Sequence, residues 1–150
     1  MEASNASQRV LVDRSAQVRA MLDAIRALPV TDKDAFFVDA RNRWTAEACL
    51  RRALEALLDM GRHILAKEFA IGVSEYKEIA TQLREQNVLT IEEARMVRLL
   101  AGYRNRLVHF YHEITADEIY EICAQQLPDV EHILGAYLRW LQISHTLSPK

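Results

Sequence analysis

The chain has 150 residues, is 50% hydrophobic and carries a formal net charge of −2. This length accommodates one domain with a substantial core but no second full domain, and the charge excludes proteins that bind nucleic acid through bulk positive charge. With only 4 glycines and 3 prolines, the composition favours a few long helices. We therefore predict a single all-α domain spanning residues 1–150, with frayed tails at 1–7 and 144–150.

The start of the chain is polar and lacks the basic and apolar regions of a signal peptide. No apolar run approaches the ~18 residues that a transmembrane helix needs. We therefore expect a cytoplasmic protein that does not bind a membrane. Cys49 and Cys123 lie in apolar helical patterns without the spacing of a zinc site, so we expect buried free thiols.

The first two predicted helices follow apolar residues at helical spacing. Helix one runs from about residue 8 to residue 28, and Thr31 or Asp32 caps a long second helix that continues to about residue 68. Gly61 lies inside this second helix, where glycine costs about 1 kcal/mol relative to alanine, so it indicates close packing. Four aromatic residues are expected in the core or at a dimer interface: Phe36, Phe37, Trp44 and Trp140.

The third and fourth predicted helices are marked by their caps. Ser74 is expected to cap a short third helix that ends at Asn87. Thr90 and Glu93 have the spacing of a capping box, in which each side chain satisfies a backbone donor of the other residue. The fourth helix therefore begins there and ends near residues 112–114.

The fifth predicted helix begins at a second capping box, formed by Thr115 and Glu118. Pro128 lies inside its apolar pattern, which runs to about residue 141. Proline removes a backbone hydrogen bond and clashes with the preceding turn, so we expect a kink near residues 124–127. The sequence thus predicts about five helices.

The stretch from Tyr103 to His112, at the end of the fourth helix, carries groups suited to phosphate chemistry. The planar guanidinium of Arg104 matches phosphate oxygens, and the imidazole of His109 exchanges protons near neutral pH. Five residues turn a helix through about 140°, so these two side chains do not share a face, whereas Asn105 and His109 do. Asn105 is therefore expected to orient the imidazole, and Arg104 to reach around the helix or to come from a twofold-related copy.

A second interpretation of this stretch is structural. The segment 95–111 is basic, with Arg95, Arg98, Arg104 and Arg106, whereas the segment 113–131 carries six acids and neither lysine nor arginine. Neighbouring helices of opposite charge can simply neutralise each other, with His109 interacting with the helix dipole. Alternatively, the basic segment forms one wall of a groove.

Other candidate groups are less specific. His109, His112 and Glu113 have spacing that suits part of a metal site, but no further ligand is apparent and we predict no metal. Three polar residues of the second helix either reach the cleft or lie on a solvated face: Asp59, Arg62 and His63.

The spacing of Arg104, His109 and Tyr111 resembles the Arg-X4-His-X-Tyr signature of HepT-like toxins in the HEPN superfamily. Four residues separate the arginine from the histidine, and one residue separates the histidine from the tyrosine. The resemblance extends over about residues 44–140 and includes the segments 46–50, 56–65, 76–79 and 101–111, in the order that the family has them. It departs from the family at Ala48 and Cys49, since many relatives have arginine at or beside this point.

The resemblance implies a dimeric, up-and-down helical bundle that acts as a metal-independent endoribonuclease without a cofactor. Arg104 and His109 would be catalytic, Asn105 would support them, and the substrate would be RNA. It also implies a type VII toxin-antitoxin system, in which an MntA-like nucleotidyltransferase antitoxin attaches AMP to Tyr111. One alternative is a non-catalytic helical partner subunit of such a nucleotidyltransferase, and another treats Tyr111 as a half-buried side chain packed on the fifth helix.

Overall fold

The computed structural model describes the backbone of residues 2–147 and the side chains of residues 8–142. This part of the chain contains no strand, which confirms the all-α prediction, but it forms seven α-helices rather than about five. Helices α1 and α7 extend over most of the predicted tails 1–7 and 144–150, whose remainder, Met1 and residues 148–150, lies outside the described residues. The helices are α1 (Glu2–Arg26), α2 (Lys33–Val38), α3 (Ala40–Phe69), α4 (Tyr76–Glu85), α5 (Ile91–His109), α6 (Ala116–Gln125) and α7 (Leu127–Leu147), with a short 3-10 helix at Tyr111–Glu113.

The predicted second helix is interrupted at Asp39. Its backbone is extended (φ −121°, ψ 111°), and its carboxylate accepts a hydrogen bond from the backbone N–H of Arg41 at 3.0 Å. Aspartate at this position competes with the helical backbone and favours a cap, so α2 ends and α3 begins here. The predicted cap Asp32 is confirmed, since it accepts from the backbone N–H of Ala35 at 3.1 Å.

The predicted fifth helix is likewise two helices. Gln126 separates α6 from α7, and Pro128 lies in the first turn of α7, where its missing N–H leaves no helical hydrogen bond unmade. The expected kink is therefore a helix boundary. At the start of α6, Thr115 caps the backbone N–H of Glu118, but the Glu118 carboxylate binds Arg106 instead of completing the predicted box.

The predicted N-terminal cap is wrong for α4 and correct for α5. Ser74 does not cap α4, whose N-terminal flanking residue is Glu75 without a side-chain cap. Asn87 does follow the end of α4, in the left-handed conformation (φ 62°). The capping box of Thr90 and Glu93 is complete, so the start of α5 is fixed as predicted.

Helix α3 runs through the centre of the fold and packs against all six of the other α-helices. Gly61 lies where α3, α4 and α7 meet: a Cβ there would be 2.7 Å from the Tyr137 hydroxyl and 2.9 Å from Ile79 Cγ2. The close packing predicted for this glycine is confirmed. Among the described residues, no helix is both long and apolar enough to cross a membrane.

The aromatic residues and cysteines are only partly buried. Phe36 is buried, but Phe37 is 39% exposed and Trp44 is 63% exposed, so Trp44 is not a core residue. Both cysteines are free, and burial raises the pKa of the Cys123 thiol to about 12, whereas Cys49 is only half-buried. The prediction of a buried thiol is thus correct for Cys123 and wrong for Cys49.

Candidate active site

The C-terminal half of α5 opens onto a cavity between α5, α4 and α3. Its volume is about 520 Å³, and it is lined by three of the residues predicted from the sequence, Arg104, Asn105 and His109. Arg104 is long enough to reach this cavity although its Cα lies on a different face of α5 from that of His109. A second copy of the chain is therefore not needed to bring the two side chains together. The rest of the lining is Arg62, Ser74, Glu75, Tyr76, Lys77 and Phe110.

The guanidinium of Arg104 is held from two sides. Its Nε and Nη2 donate to Oε2 of Glu55 on α3, at 3.3 and 3.0 Å, and its Nη1 donates to Oδ1 of Asn105 at 3.3 Å. Asn105 thus supports Arg104, whereas it was expected to orient the imidazole of His109. The side chain of Arg104 is only 17% exposed, so this charge is fixed in place at the cavity wall.

Tyr76, at the start of α4, binds two cations with one ring. The guanidinium carbons of Arg62 and Arg104 lie 4.7 and 4.6 Å from the ring centroid, which is within the range of cation–π attraction. The Tyr76 hydroxyl donates to Oδ1 of Asp59 at 3.2 Å. Burial, and then the negative charge of Asp59, raise the pKa of Tyr76, so the phenol stays neutral and the ring remains a platform for both arginines.

His109 is the last residue of α5 and is exposed, with its ring 6.4 Å from that of Phe110. An exposed imidazole at the edge of a cavity can contact a ligand and exchange protons with it. Arg106 does not join this site, because its guanidinium pairs with Glu118 of α6 at 2.7 Å. The charge-neutralising interpretation of the basic segment therefore holds for Arg106 but not for Arg104, whose partner lies on α3.

Tyr111 does not line the cavity of its own chain. It belongs to the 3-10 helix after α5, is 64% exposed, and contacts the ring of His112 at 5.8 Å. The interpretation of Tyr111 as a half-buried side chain packed on the fifth helix is wrong. Its phenol is instead open to an external molecule.

Of the three candidates on the predicted second helix, Arg62 lines the cavity. Asp59 does not line it, but its carboxylate accepts hydrogen bonds from two lining residues, Arg62 and Tyr76. His63 is not part of the lining, and its Nε2 is buried with no hydrogen-bond partner among the described residues. Burial, then the positive charge of Lys67, lower the pKa of His63, which keeps the imidazole neutral.

Glu55, Tyr76 and Lys77 are site residues to which the sequence assigned no role. A signal was present on α3, where polar residues recur at spacings of 4, 4 and 3 and so form one stripe along the helix. Such a stripe predicts a polar wall, although it does not predict the partner of each side chain. The stripe consists of Arg51, Glu55, Asp59 and Arg62.

No group of three or more histidine, cysteine, aspartate or glutamate side chains within the described residues is placed to hold a metal ion. His112 is 67% exposed and lies 4.0 Å from its neighbour Glu113, away from the cavity lining. The cavity itself presents cations and an imidazole in its lining.

The sequence of this chain matches, over residues 19–136, the family described as ribonuclease HepT-like. The chain belongs to this family. It is also similar to the tRNA nuclease HepT of Aphanizomenon flos-aquae, with 26% identity over 124 residues, which covers 81% of this chain and 84% of the relative. The predicted resemblance to the HepT-like family is thus confirmed.

Solved structures agree with this family in fold. The tri-AMPylated Shewanella oneidensis HEPN toxin, determined in complex with MNT antitoxin, superposes with a TM-score of 0.78 at 21% identity and covers 87% of this chain and 97% of its own. YutE of Bacillus subtilis, a cytosolic protein of unknown function, superposes with a TM-score of 0.70 at 16% identity and covers 97% of this chain and 94% of its own. Identities this low relate the folds alone, and the fold they share with this HepT-like chain is the HEPN-type helical bundle.

Proposed function

We propose that the protein is a metal-independent endoribonuclease whose site is formed by Arg104 and His109. The observation that carries the proposal is that these two side chains line one cavity together with a second cation, Arg62. Arginine forks match phosphate oxygens, and permanently charged donors fixed before the reaction stabilise charge that develops in the transition state. The chemistry fits the ribonuclease family to which the chain belongs.

In the proposed reaction, the ribose 2′-OH attacks the adjacent phosphorus. His109 takes the proton of the 2′-OH, a bond forms between the 2′ oxygen and phosphorus, and the bond from phosphorus to the 5′ oxygen breaks. The leaving 5′ oxygen receives a proton, and the products are a 2′,3′-cyclic phosphate and a 5′-OH. Arg104 and Arg62 hold the non-bridging oxygens, on which negative charge grows.

The proposed reaction needs both a base and an acid, and each chain supplies one imidazole to the cavity. We therefore propose a homodimer in which the two copies of His109 face each other across a twofold axis and share these roles. Exposed aromatic side chains near the end of α5 and at the start of α3 fit an interface there, since Phe110 is 50% exposed and Trp44 is 63% exposed.

We propose RNA, and tRNA in particular, as the substrate, because the curated relative is named a tRNA nuclease. A nuclease that cleaves cellular tRNA has to be inhibited while the cell grows. The HEPN toxin of similar fold is AMPylated and bound to an antitoxin. We therefore propose that the protein acts in the cytoplasm as the toxin of a type VII toxin-antitoxin system. An MntA-like nucleotidyltransferase antitoxin would modify the exposed Tyr111 with AMP.

The test is cleavage of purified tRNA by the wild-type protein in the presence of EDTA. His109→Ala should lower the rate by roughly 10²–10⁴-fold, the usual contribution of a general acid or base. His112→Ala is the matched control, because His112 lies three residues after His109 and outside the cavity lining. This variant should cleave tRNA at the wild-type rate. Inactivity of the wild-type protein, or cleavage only with added metal, would contradict the proposal and favour a non-catalytic partner subunit of a nucleotidyltransferase.

A further inference from the structure

We propose that the groove between α4 and α5 binds the RNA strand beyond the cleaved bond, as a track of cations leading away from the active site. This inference rests on the proposed function, since it supposes that the cavity at His109 receives RNA. It assigns a role to four basic residues, called here the α4–α5 track: Lys77, Arg84, Arg95 and Arg98.

The residues that face the groove follow helical spacing on both helices. On α5 they recur at intervals of 4, 3, 4, 3 and 4, which is one continuous face of an α-helix. On α4 they recur at intervals of 4 and 3. The α5 face consists of Ile91, Arg95, Arg98, Gly102, Asn105 and His109, and the α4 face of Lys77, Thr81 and Arg84.

Contacts at three levels show that these faces meet in antiparallel order. Near the active site, Gly102 faces Lys77, whose Cε would lie 3.9 Å from a Cβ built on the glycine. In the middle, Arg98 Nη2 donates to the Thr81 hydroxyl at 2.6 Å. At the far end, Arg84 and Arg95 line a second cavity of about 310 Å³, which also contains Thr81 and Arg98.

The charges of this groove are poorly neutralised. Within the described part of the chain, Lys77, Arg84 and Arg98 form no ion pair, and Arg95 pairs only with Glu92 at a site where both side chains are more than 70% exposed. Two basic residues elsewhere do pair with acids on other helices, Arg26 with Glu131 and Lys33 with Asp117. Glu75 and Glu85 lie at the two ends of the groove and reduce the excess without removing it.

The shape of the groove favours a linear polyanion. From His109 to Arg95 the α5 face spans 14 residues, or about 21 Å at 1.5 Å per residue. A row of cations along this length matches consecutive phosphates of one strand, and Gly102 leaves the floor of the groove without a side chain. Because the track meets phosphates rather than base edges, it contributes affinity and salt dependence without reading sequence.

The test combines three substitutions far from the reacting groups: Arg84→Gln, Arg95→Gln and Arg98→Gln. RNA binding is measured by fluorescence anisotropy of a labelled tRNA, in the His109→Ala background so that the RNA stays intact. The triple variant should bind at least about tenfold more weakly, and the slope of log K against log salt should fall by about 2, at roughly 0.7 for each lost phosphate contact. In the wild-type background, kcat/KM should fall more for tRNA than for a dinucleotide.

A control with the same loss of charge carries Arg9→Gln, Arg19→Gln and Arg41→Gln, on α1 and at the start of α3, and should bind RNA with the wild-type salt slope. Equal RNA binding by the triple variant and the control would overturn the track. If the triple variant shows the loss of RNA binding but the wild-type protein never cleaves RNA, the track stands and the proposed nuclease activity is wrong.

Discussion

Arg104 on α5 is held by Glu55 on α3, a residue 49 positions earlier, through two hydrogen bonds to one carboxylate oxygen. The pair has two consequences. It fixes the guanidinium at the cavity wall, and the carboxylate that holds it belongs to a residue outside the cavity lining. Glu55 is thus a positioning residue for the proposed chemistry.

Removal of this support should lower kcat. We expect Glu55→Ala to reduce kcat for RNA cleavage by roughly tenfold, because a displaced arginine no longer meets the developing charge. Glu55→Gln retains an oxygen that accepts from Arg104, so it should recover most of the rate. Steady-state kinetics measure both values. A purely structural role for Glu55 would lower the thermal stability of the protein and leave kcat of the folded fraction unchanged.

The proposed homodimer predicts complementation between inactive subunits. Arg104→Ala mixed with His109→Ala should regain a small part of the activity after subunit exchange, because the shared cleft then holds one arginine for the developing charge and one imidazole as the base, with water replacing the second imidazole as the acid. RNA cleavage after mixing measures this, and light scattering of the wild-type protein should give twice the chain mass of 17.2 kDa.

The control for this experiment is wild-type protein mixed with the double variant Arg104→Ala, His109→Ala. That mixture should stay active in either case, whereas sites built within one chain would show no recovery in the first mixture. A strictly monomeric mass at micromolar concentration would contradict the shared cleft directly.

AMP should be attached at Tyr111. Incubation with an MntA-like nucleotidyltransferase, ATP and Mg²⁺ is expected to add one or more AMP units to the wild-type protein and none to Tyr111→Phe, because this phenol is 64% exposed. The added negative charge, two residues from His109, should repel RNA phosphates and silence the nuclease. Mass spectrometry and RNA cleavage report the two effects.

Tyr103→Phe is the matched control for this modification. Tyr103 is half-buried, so this hydroxyl is less accessible to an enzyme than that of the exposed Tyr111. The variant should accept AMP as the wild-type protein does. An unchanged mass shift in Tyr111→Phe would place the modification at another residue.

Gly61→Ala should destabilise the fold. The added methyl would lie 2.7 Å from the buried Tyr137 hydroxyl, and overpacking of this kind costs about 1–3 kcal/mol. Gly102→Ala, also inside a helix, meets nothing closer than Lys77 Cε at 3.9 Å, so it should stabilise the protein by up to about 1 kcal/mol. Urea unfolding measures the two changes in free energy. Equal effects of the two substitutions would show that α3, α4 and α7 can separate at Gly61 without cost.

Local features of the fold followed from the sequence because their partners are close in the chain. The capping box of Thr90 and Glu93 spans four residues, and the packing role of Gly61 follows from its place in a helix with strong apolar periodicity. The competition between a side chain and the helical backbone for the same hydrogen bonds is harder to predict. The carboxylate of Asp39 divides one predicted helix into two, although nothing in the apolar periodicity marks that break.

The sequence by itself determined the helical class, the family motif and the two residues, Arg104 and His109, on which the proposed chemistry rests. Only the tertiary structure decided which groups surround them. Glu55 and Tyr76 reach Arg104 from α3 and α4, and Thr81 reaches Arg98 across the groove, over separations of 49, 28 and 17 positions. Such contacts depend on how amphipathic helices pack, since helical periodicity fixes the face on which a side chain lies but not the helix that this face meets.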